Sequence, residues 1–263
     1  MSKNLEIIKE LVLYNPVNKK IRLGNNLDGG YVIINEYNYD CFLSAGIADN
    51  ISFEIDFIKK YPNIPGFGFD GTCNKPGGFP EEITYIKKNI GNNDDEVTTN
   101  LKTYVEKYDN IFIKMDIEGE EFHWIRTFKD FFPKVKQFVF EAHVLFPQDV
   151  PAYWTNYHCK GVAADDWENY VLESFQILNK THYLVHVHEN NAAPFIHISD
   201  NDYPSFAELT YIRKDCEING FNTTKLPIKD IDFTSGGELD KDNIHNINFW
   251  PFNFNKNKYE KGK

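Results

Sequence analysis

Short apolar runs alternate with segments of helical period along most of this chain, and that alternation restricts the fold more than any other feature. DCFLSAGI (40–47), GFGFD (66–70), ITYIKKNIG (83–91), NIFIKMD (110–116) and KQFVFEAH (136–143) each read as a strand. Between them, DNISFEIDFIKKY (49–61) places Phe53, Phe57 and Ile58 on one helical face, and TTNLKTYVEKY (98–108) and EGEEFHWIRTFKDFF (118–132) read as helices. Strands that alternate with helices build a parallel sheet. Two further strands, THYLVHVHENN (181–191) and FAELTYIRKD (206–215), have no helix between them and are predicted to pair antiparallel at one edge. The expectation is a mostly parallel α/β sheet of about seven strands.

The rest of the chain fits one domain over 1–263, with an N-terminal helix in 1–20 and a frayed polar tail at 254–263. Residues 144–180 are too long for a connecting loop and read as a helical insertion over the active face. No apolar run reaches a membrane span, and the amphipathic start lacks a cleavage site. Cys41, Cys73, Cys159 and Cys216 are scattered without a C-x-x-C pair, so they read as free thiols of a reducing compartment, and the chain is placed in the cytoplasm. A net charge of −11 speaks against a nucleic-acid surface. A small-molecule partner fits better, and a homo-oligomer is left open.

Ligands of open α/β sheets bind beyond the carboxyl ends of the strands. At those ends stand Ser44-Ala45-Gly46, where small residues allow close approach, and Asp70, 24 residues after Gly46. An acid at that distance commonly holds the ribose of a nucleoside cofactor. The bland alternative is a glycine turn and a helix-capping aspartate. Asn89 could meet an adenine edge or simply make a turn. Asp116 ends the fourth strand, Glu141 and His143 the fifth, and His186 and His188 the sixth, followed by Asn190 and Asn191. This set could ligate Mg²⁺ or Mn²⁺ or supply a general base, and otherwise it caps helices and packs the core. KMDIEGEEFHW (114–124) carries Asp116, Glu118, Glu120 and Glu121 within six residues. Asp116 reads as the chemical carboxylate. The other three read as charge at a helix start, with Glu118 open because it sits closest to the rim.

SAGIADNISFE, GFD, KMDIEGEE, FEAH and HVHENN, with DGGYV before them and AELTYIRK after, together resemble the FkbM-like S-adenosylmethionine-dependent methyltransferases. The resemblance touches most of 22–215, and DIEG followed by an acid is its most specific part. It implies a Rossmann-like seven-stranded methyltransferase sheet, mostly parallel with an antiparallel edge strand, and O-methylation of a sugar or polyketide-type hydroxyl. It also implies S-adenosylmethionine lying against Gly46, with Asp70 at the ribose and Asp116 at the reacting centre. SAGIADN departs from the more glycine-rich loop common in methyltransferases. The Asn- and Lys-rich composition is similar to that of capsule-sugar methyltransferases, which points to a sugar or nucleotide-sugar acceptor.

For methyl transfer to a hydroxyl, His143 is the first candidate for the base and His188 the second, with Glu141 beside them. The candidate metal set is Asp116, His143 and His188. Tyr153, Trp154, Tyr157 and Trp167 offer a lid or sugar-stacking wall, or ordinary packing. Two other classes stand beside this reading. One is a nucleotide-sugar epimerase or dehydrogenase, which lacks its glycine fingerprint here and finds Tyr-x-x-x-Lys only at Tyr259 and Lys263. The other is a carbohydrate-binding module without catalysis.

Overall fold

The computed structural model describes residues 2–233 and 247–254. Its main sheet is built from β1 (Cys41–Ala45), β2 (Gly66–Phe69), β3 (Ile83–Ile86), β4 (Ile111–Met115), β5 (Val135–Ala142), β6 (His182–Glu189) and β7 (Ala207–Arg213). The order across the sheet is β3-β2-β1-β4-β5-β7-β6. Neighbours from β3 to β5 run parallel, and β7 is antiparallel to both β5 and β6. This is the mostly parallel seven-stranded sheet expected above, and β6 and β7 pair as predicted, with Tyr183 opposite Ile212 and His188 opposite Glu208. The reversed strand β7 lies one place in from the edge.

β1 and β4 are buried at every position, as apolar central strands covered on both faces must be. One face carries α1 (Lys3–Glu10), α3 (Lys102–Val105), α4 (Glu121–Phe128) and α6 (Ala164–Thr181). The other carries α2 (Ser52–Lys60) and a hairpin of Lys20–Leu23 with Tyr31–Ile34. Val32 accepts from the Thr210 hydroxyl and Ile34 donates to Gln137, which pins the hairpin over β5 and β7. DGGYV is therefore the turn into the hairpin's second strand.

Several boundaries differ from the sequence reading. The N-terminal helix stops at Glu10 rather than spanning 1–20, because Tyr14–Pro16 pairs with Ile218–Phe221 and Leu13 bridges Leu184 on the edge strand. The strand expected over 83–91 breaks after Ile86, and Asn89–Ile90 leaves to pair with Thr98–Thr99. The helix expected over 98–108 shrinks to Lys102–Val105. There the Thr99 hydroxyl and Asn100 amide oxygen take the N–H groups of Leu101 and Lys102, and Leu101 turns left-handed at φ +67°. Short polar side chains compete with helix bonding in this way. The helix expected over 118–132 splits into α4 and a 3₁₀ segment, Lys129–Lys134, which contains Pro133.

Residues 144–180 are not one flap. α6 is the crossover between β5 and β6, and it buries Trp167, Val171, Phe175 and Leu178 completely. Their spacing follows the helical period, and each such burial contributes roughly 1.5–3 kcal/mol. Trp167 donates its indole N–H to Val144 and is a core residue, not part of a sugar wall. Only the segment through α5 (Ala152–His158) reaches the active face. The expected tail and the Tyr259 to Lys263 pair lie outside the described residues, apart from Phe254, which stacks on Phe221. Among the described residues, no helix is long and apolar enough to cross a membrane, and all four cysteines are free thiols.

Candidate active site

Strand order reverses between β1 and β4, and a cleft of about 740 Å³ opens beyond the carboxyl ends there. Gly46, Asp70, Asn89 and Asp116 all line it. Phe69, Ile90 and Ile117 give it apolar walls, and Lys88 and Lys160 give it cations. The rim residues converge because each follows the end of a parallel strand or the short strand beside it.

Gly46 has φ +72°, and a β-carbon there would lie 1.5 Å from the Asp116 carbonyl oxygen. Only glycine lets the two chain turns approach so closely. The buried Lys114 ammonium donates to the Gly46 carbonyl at 2.7 Å and lies 5.2 Å from the centre of the Tyr31 ring. Ser44, expected at the cofactor, is elsewhere: its hydroxyl is fully buried and donates to Glu54 on α2.

Asp70 reaches the cleft with its oxygens already engaged. Oδ2 accepts from the N–H groups of Ile47 at 3.1 Å and Ala48 at 2.9 Å. Oδ1 accepts from the Thr72 N–H and hydroxyl and from the Cys73 N–H. Burial alone would raise its pKa, but these bonds outweigh it and hold the carboxyl below its ordinary value. Asp70 thus fixes the loops after β1 and β2 against each other.

Asp116 accepts from the Tyr31 hydroxyl at 3.0 Å through Oδ2. Its Oδ1 lies 3.8 Å from His143 Nε2. Burial and the Asp116 charge raise the Tyr31 phenol well above its usual range, so Tyr31 keeps its proton for this bond. On its other side, His143 Nδ1 meets Glu121 Oε1 at 3.0 Å. Glu121 is completely buried and also accepts from the N–H groups of Ile117 and Gly119, both at 3.0 Å. The turn needs Glu118 at φ +57° and Gly119 at φ +99°, and the Glu121 carboxylate holds it.

Burial pushes the His143 imidazole down, but the Glu121 carboxylate, with Glu141 and Asp116, outweighs it and lifts the pKa to about 10. Burial and the neighbouring Asp116 raise Glu141, which accepts from the Asn190 amide. Burial likewise raises Glu118, whose Oε2 lies 3.8 Å from His143 Nε2. His158, the last residue of α5, stacks on His143 with ring centres 4.6 Å apart. Trp154 stacks on the far side of His158, while Tyr153 and Tyr157 are exposed and Tyr157 lines the cleft.

The sequence reading missed three of these residues. Tyr31 stood in the quoted DGGYV, but its partner is 85 positions away. Glu121 was taken as helix-start charge only. His158 lies in a stretch with no spacing signal at all.

His188 does not join this group. Nδ1 pairs with Glu208 at 2.9 Å, and His186 pairs with Asp232 at 2.8 Å. Strand β7 stands between β5 and β6, so His188 is two strands from the His143 strand, roughly 10 Å away. This corrects the expectation of His188 as metal ligand or second base.

His188 has a stability role instead. Burial lowers its pKa, but Glu208 outweighs that and lifts it to about 9. A raised folded-state value stabilises fully below the unfolded value near 6.5 and ceases to do so as pH rises through 9. His182 is the opposite case: burial pushes it down to about 4 while it bonds the Val135 carbonyl. The unfolded chain takes that proton first, so stability falls as pH drops from about 6.5 toward 4. Each term reaches about 3 kcal/mol beyond its window. Urea unfolding is expected to give the highest midpoint between these limits. In His188→Gln the alkaline loss should flatten, and an unaltered alkaline limb in that variant would refute the assignment.

No protein-family model matches this sequence, and no curated protein matches it. Solved structures do resemble it in architecture. The fibrillarin/Nop5p complex structure aligns with a TM-score of 0.40 at 12% identity, covering 69% of this chain and 76% of that one. The plantazolicin methyltransferase BpumL, solved with a desmethyl-plantazolicin analogue and S-adenosylhomocysteine, gives 0.34 at 13% identity, covering 67% and 78%. A predicted O-methyltransferase from Agrobacterium tumefaciens, Atu636, gives 0.35 at 10% identity, covering 81% of each chain. No activity follows from likenesses at this level.

Proposed function

We propose that this chain is an S-adenosylmethionine-dependent O-methyltransferase acting on a hydroxyl of a sugar or nucleotide-activated sugar, in surface (capsule) polysaccharide biosynthesis. The observation that carries the reading is that Gly46, Asp70, Asn89 and Asp116 line one cleft, with His143 buried behind Asp116. The capsule and sugar part rests on the sequence resemblance alone.

The residues present fit the cofactor. The Gly46 turn, packed against Asp116 without a β-carbon, forms part of the cleft lining, and Phe69 and Ile90 suit a purine face. Lys88 and Lys160 suit a carboxylate. Asp70 takes the ribose hydroxyls in exchange for donors it now holds from Thr72 and Cys73. S-adenosylmethionine supplies an electrophilic methyl carbon.

The chain's own task is then to hold the acceptor oxygen in line and to receive its proton. His143 Nε2 lies 3.8 Å from both Asp116 Oδ1 and Glu118 Oε2, and those two carboxylates line the cleft where the hydroxyl arrives. The proton passes to the Asp116 carboxylate, beside which His143, kept charged by Glu121, offsets the negative charge that develops on the acceptor oxygen. Glu121 is a positioning residue that fixes the orientation of His143. Tyr157 lies on the open side of the cleft, where a sugar ring can stack.

Calorimetry is expected to give a micromolar dissociation constant for S-adenosylhomocysteine and no heat with nicotinamide dinucleotides. Binding of the dinucleotide and not of the thioether would favour the epimerase or dehydrogenase class and sink this reading. Transfer of labelled methyl to a panel of nucleotide sugars tests the acceptor class.

A further inference from the structure

Glu118, His143 and His158 each aim a ligand atom at a common point, and the three atoms lie within 4.8 Å of one another. Glu118 Oε2 is 3.8 Å from His143 Nε2 and 3.5 Å from His158 Nδ1. This is the spacing required by an ion held about 2.1 Å from each ligand. Acidic side chains near a histidine are not a site in themselves, but two further observations point to a ligand.

The first is His158. Its side chain is only 3% exposed, yet neither ring nitrogen has a hydrogen-bond partner of good geometry. Nδ1 lies 3.5 Å from the Glu118 carboxylate, and the Glu118 backbone stands beside the ring. A buried ring whose nitrogens are so poorly satisfied is costly, and ligation of one nitrogen offsets that cost. The second is the arrangement behind His143. Glu121 engages Nδ1 at 3.0 Å, so an ion that displaces the proton from Nε2 meets a ring already oriented toward Glu118 and Asp116. Carboxylate behind histidine is how metal-ligating imidazoles are usually oriented. Glu121 cannot itself be a ligand without giving up the Ile117 and Gly119 N–H groups.

We infer that Glu118, His143 and His158 bind a first-row divalent transition ion, with Asp116 Oδ1 as a fourth ligand. Two imidazoles beside carboxylates favour Mn²⁺, Fe²⁺ or Zn²⁺ over Mg²⁺, whose preference is for oxygen. This revises the expected metal set by exchanging His188 for His158 and adding Glu118, and it sets the Mg²⁺ option aside. Asp116 and Glu118 line the cleft, so the ion faces the place where the acceptor hydroxyl arrives. There it would lower the hydroxyl pKa and orient the oxygen, with Asp116 Oδ2, which is not a ligand, left to take the proton. That role rests on the methyl-transfer reading; the site itself does not.

The test is Mn²⁺ titration of the full chain followed by electron paramagnetic resonance, without cofactor or acceptor. One Mn²⁺ per chain is expected, with hyperfine coupling from two imidazole nitrogens, and Mg²⁺ in excess should not displace it. His158→Phe keeps the ring stacked between His143 and Trp154 but offers no nitrogen. It should weaken Mn²⁺ binding at least ~10-fold and remove one nitrogen coupling. Absence of bound Mn²⁺ at ~1 mM, or identical binding and couplings in His158→Phe, overturns the site. Should that variant not fold, the nitrogen count on the native chain decides alone. S-adenosylhomocysteine calorimetry on the same sample separates the two claims. Thioether binding without Mn²⁺ removes only the metal, and Mn²⁺ binding without the thioether removes only the cofactor assignment.

Discussion

Gly46→Ala is expected to lose S-adenosylhomocysteine binding altogether and about 3 kcal/mol or more of folding stability. The added β-carbon would sit 1.5 Å from the Asp116 carbonyl oxygen, which is backbone and cannot swing aside. Relief requires β1 and β4 to part at the end where the cleft opens, and Lys114 then loses its acceptor at Gly46. The left-handed backbone at Gly46 adds its own cost of roughly 1–2 kcal/mol for a residue with a side chain. Gly77→Ala is the control, since a β-carbon there meets nothing within 4 Å. Its unfolding midpoint should stay within about 0.5 kcal/mol of the native chain. A Gly46→Ala protein with native midpoint and native thioether affinity would mean that the cleft is not built as described.

The second large effect concerns turnover rather than binding. His143→Ala is expected to slow single-turnover methyl transfer by about 100-fold or more. S-adenosylhomocysteine affinity should change by less than about 3-fold, because the imidazole is not among the residues lining the cleft. Glu121→Gln should fall between the two, at roughly 10–100-fold in rate, since it weakens the orientation of His143 and its amide nitrogen cannot accept from one of the turn's two N–H groups. Equal loss of affinity and rate in both variants would point to collapse of the Glu118–Gly119 turn and not to chemistry. Near-native turnover in His143→Ala would return His143 to the status of a packed core histidine.

The parts of this fold that were legible in the sequence were those written in local periodicity. Apolar strands announce themselves, and the end of each parallel strand is a rim position by geometry. Hence Gly46, Asp70, Asn89 and Asp116 could be assigned to one cleft from sequence. Lateral order is not written locally. Nothing in HVHENN says that β7 will stand between it and β5, so His188 was assigned to a rim it does not reach. Side-chain direction failed similarly at Ser44, which points into the layer between sheet and helix. Helix 98–108 failed because Thr99 and Asn100 bond the backbone of the next two residues, which outweighs the helical spacing of Leu101 and Val105. His158 could not be read because its meaning lies in a stacked partner 15 positions upstream on another element.

Gly119 has a consequence for descent. A β-carbon there would lie 2.0 Å from the carbonyl oxygen of His158, so the turn after β4 and the end of α5 are fitted to each other through one missing methyl group. A lineage that replaces Gly119 has to rebuild the segment between β5 and α6, and with it the wall that carries Trp154, Tyr157 and His158. Gly46, Asp70 and Asn89 lie outside that exchange. A change at Gly119 thus reshapes one wall of the cleft and leaves the half lined by Gly46, Asp70 and Asn89 in place.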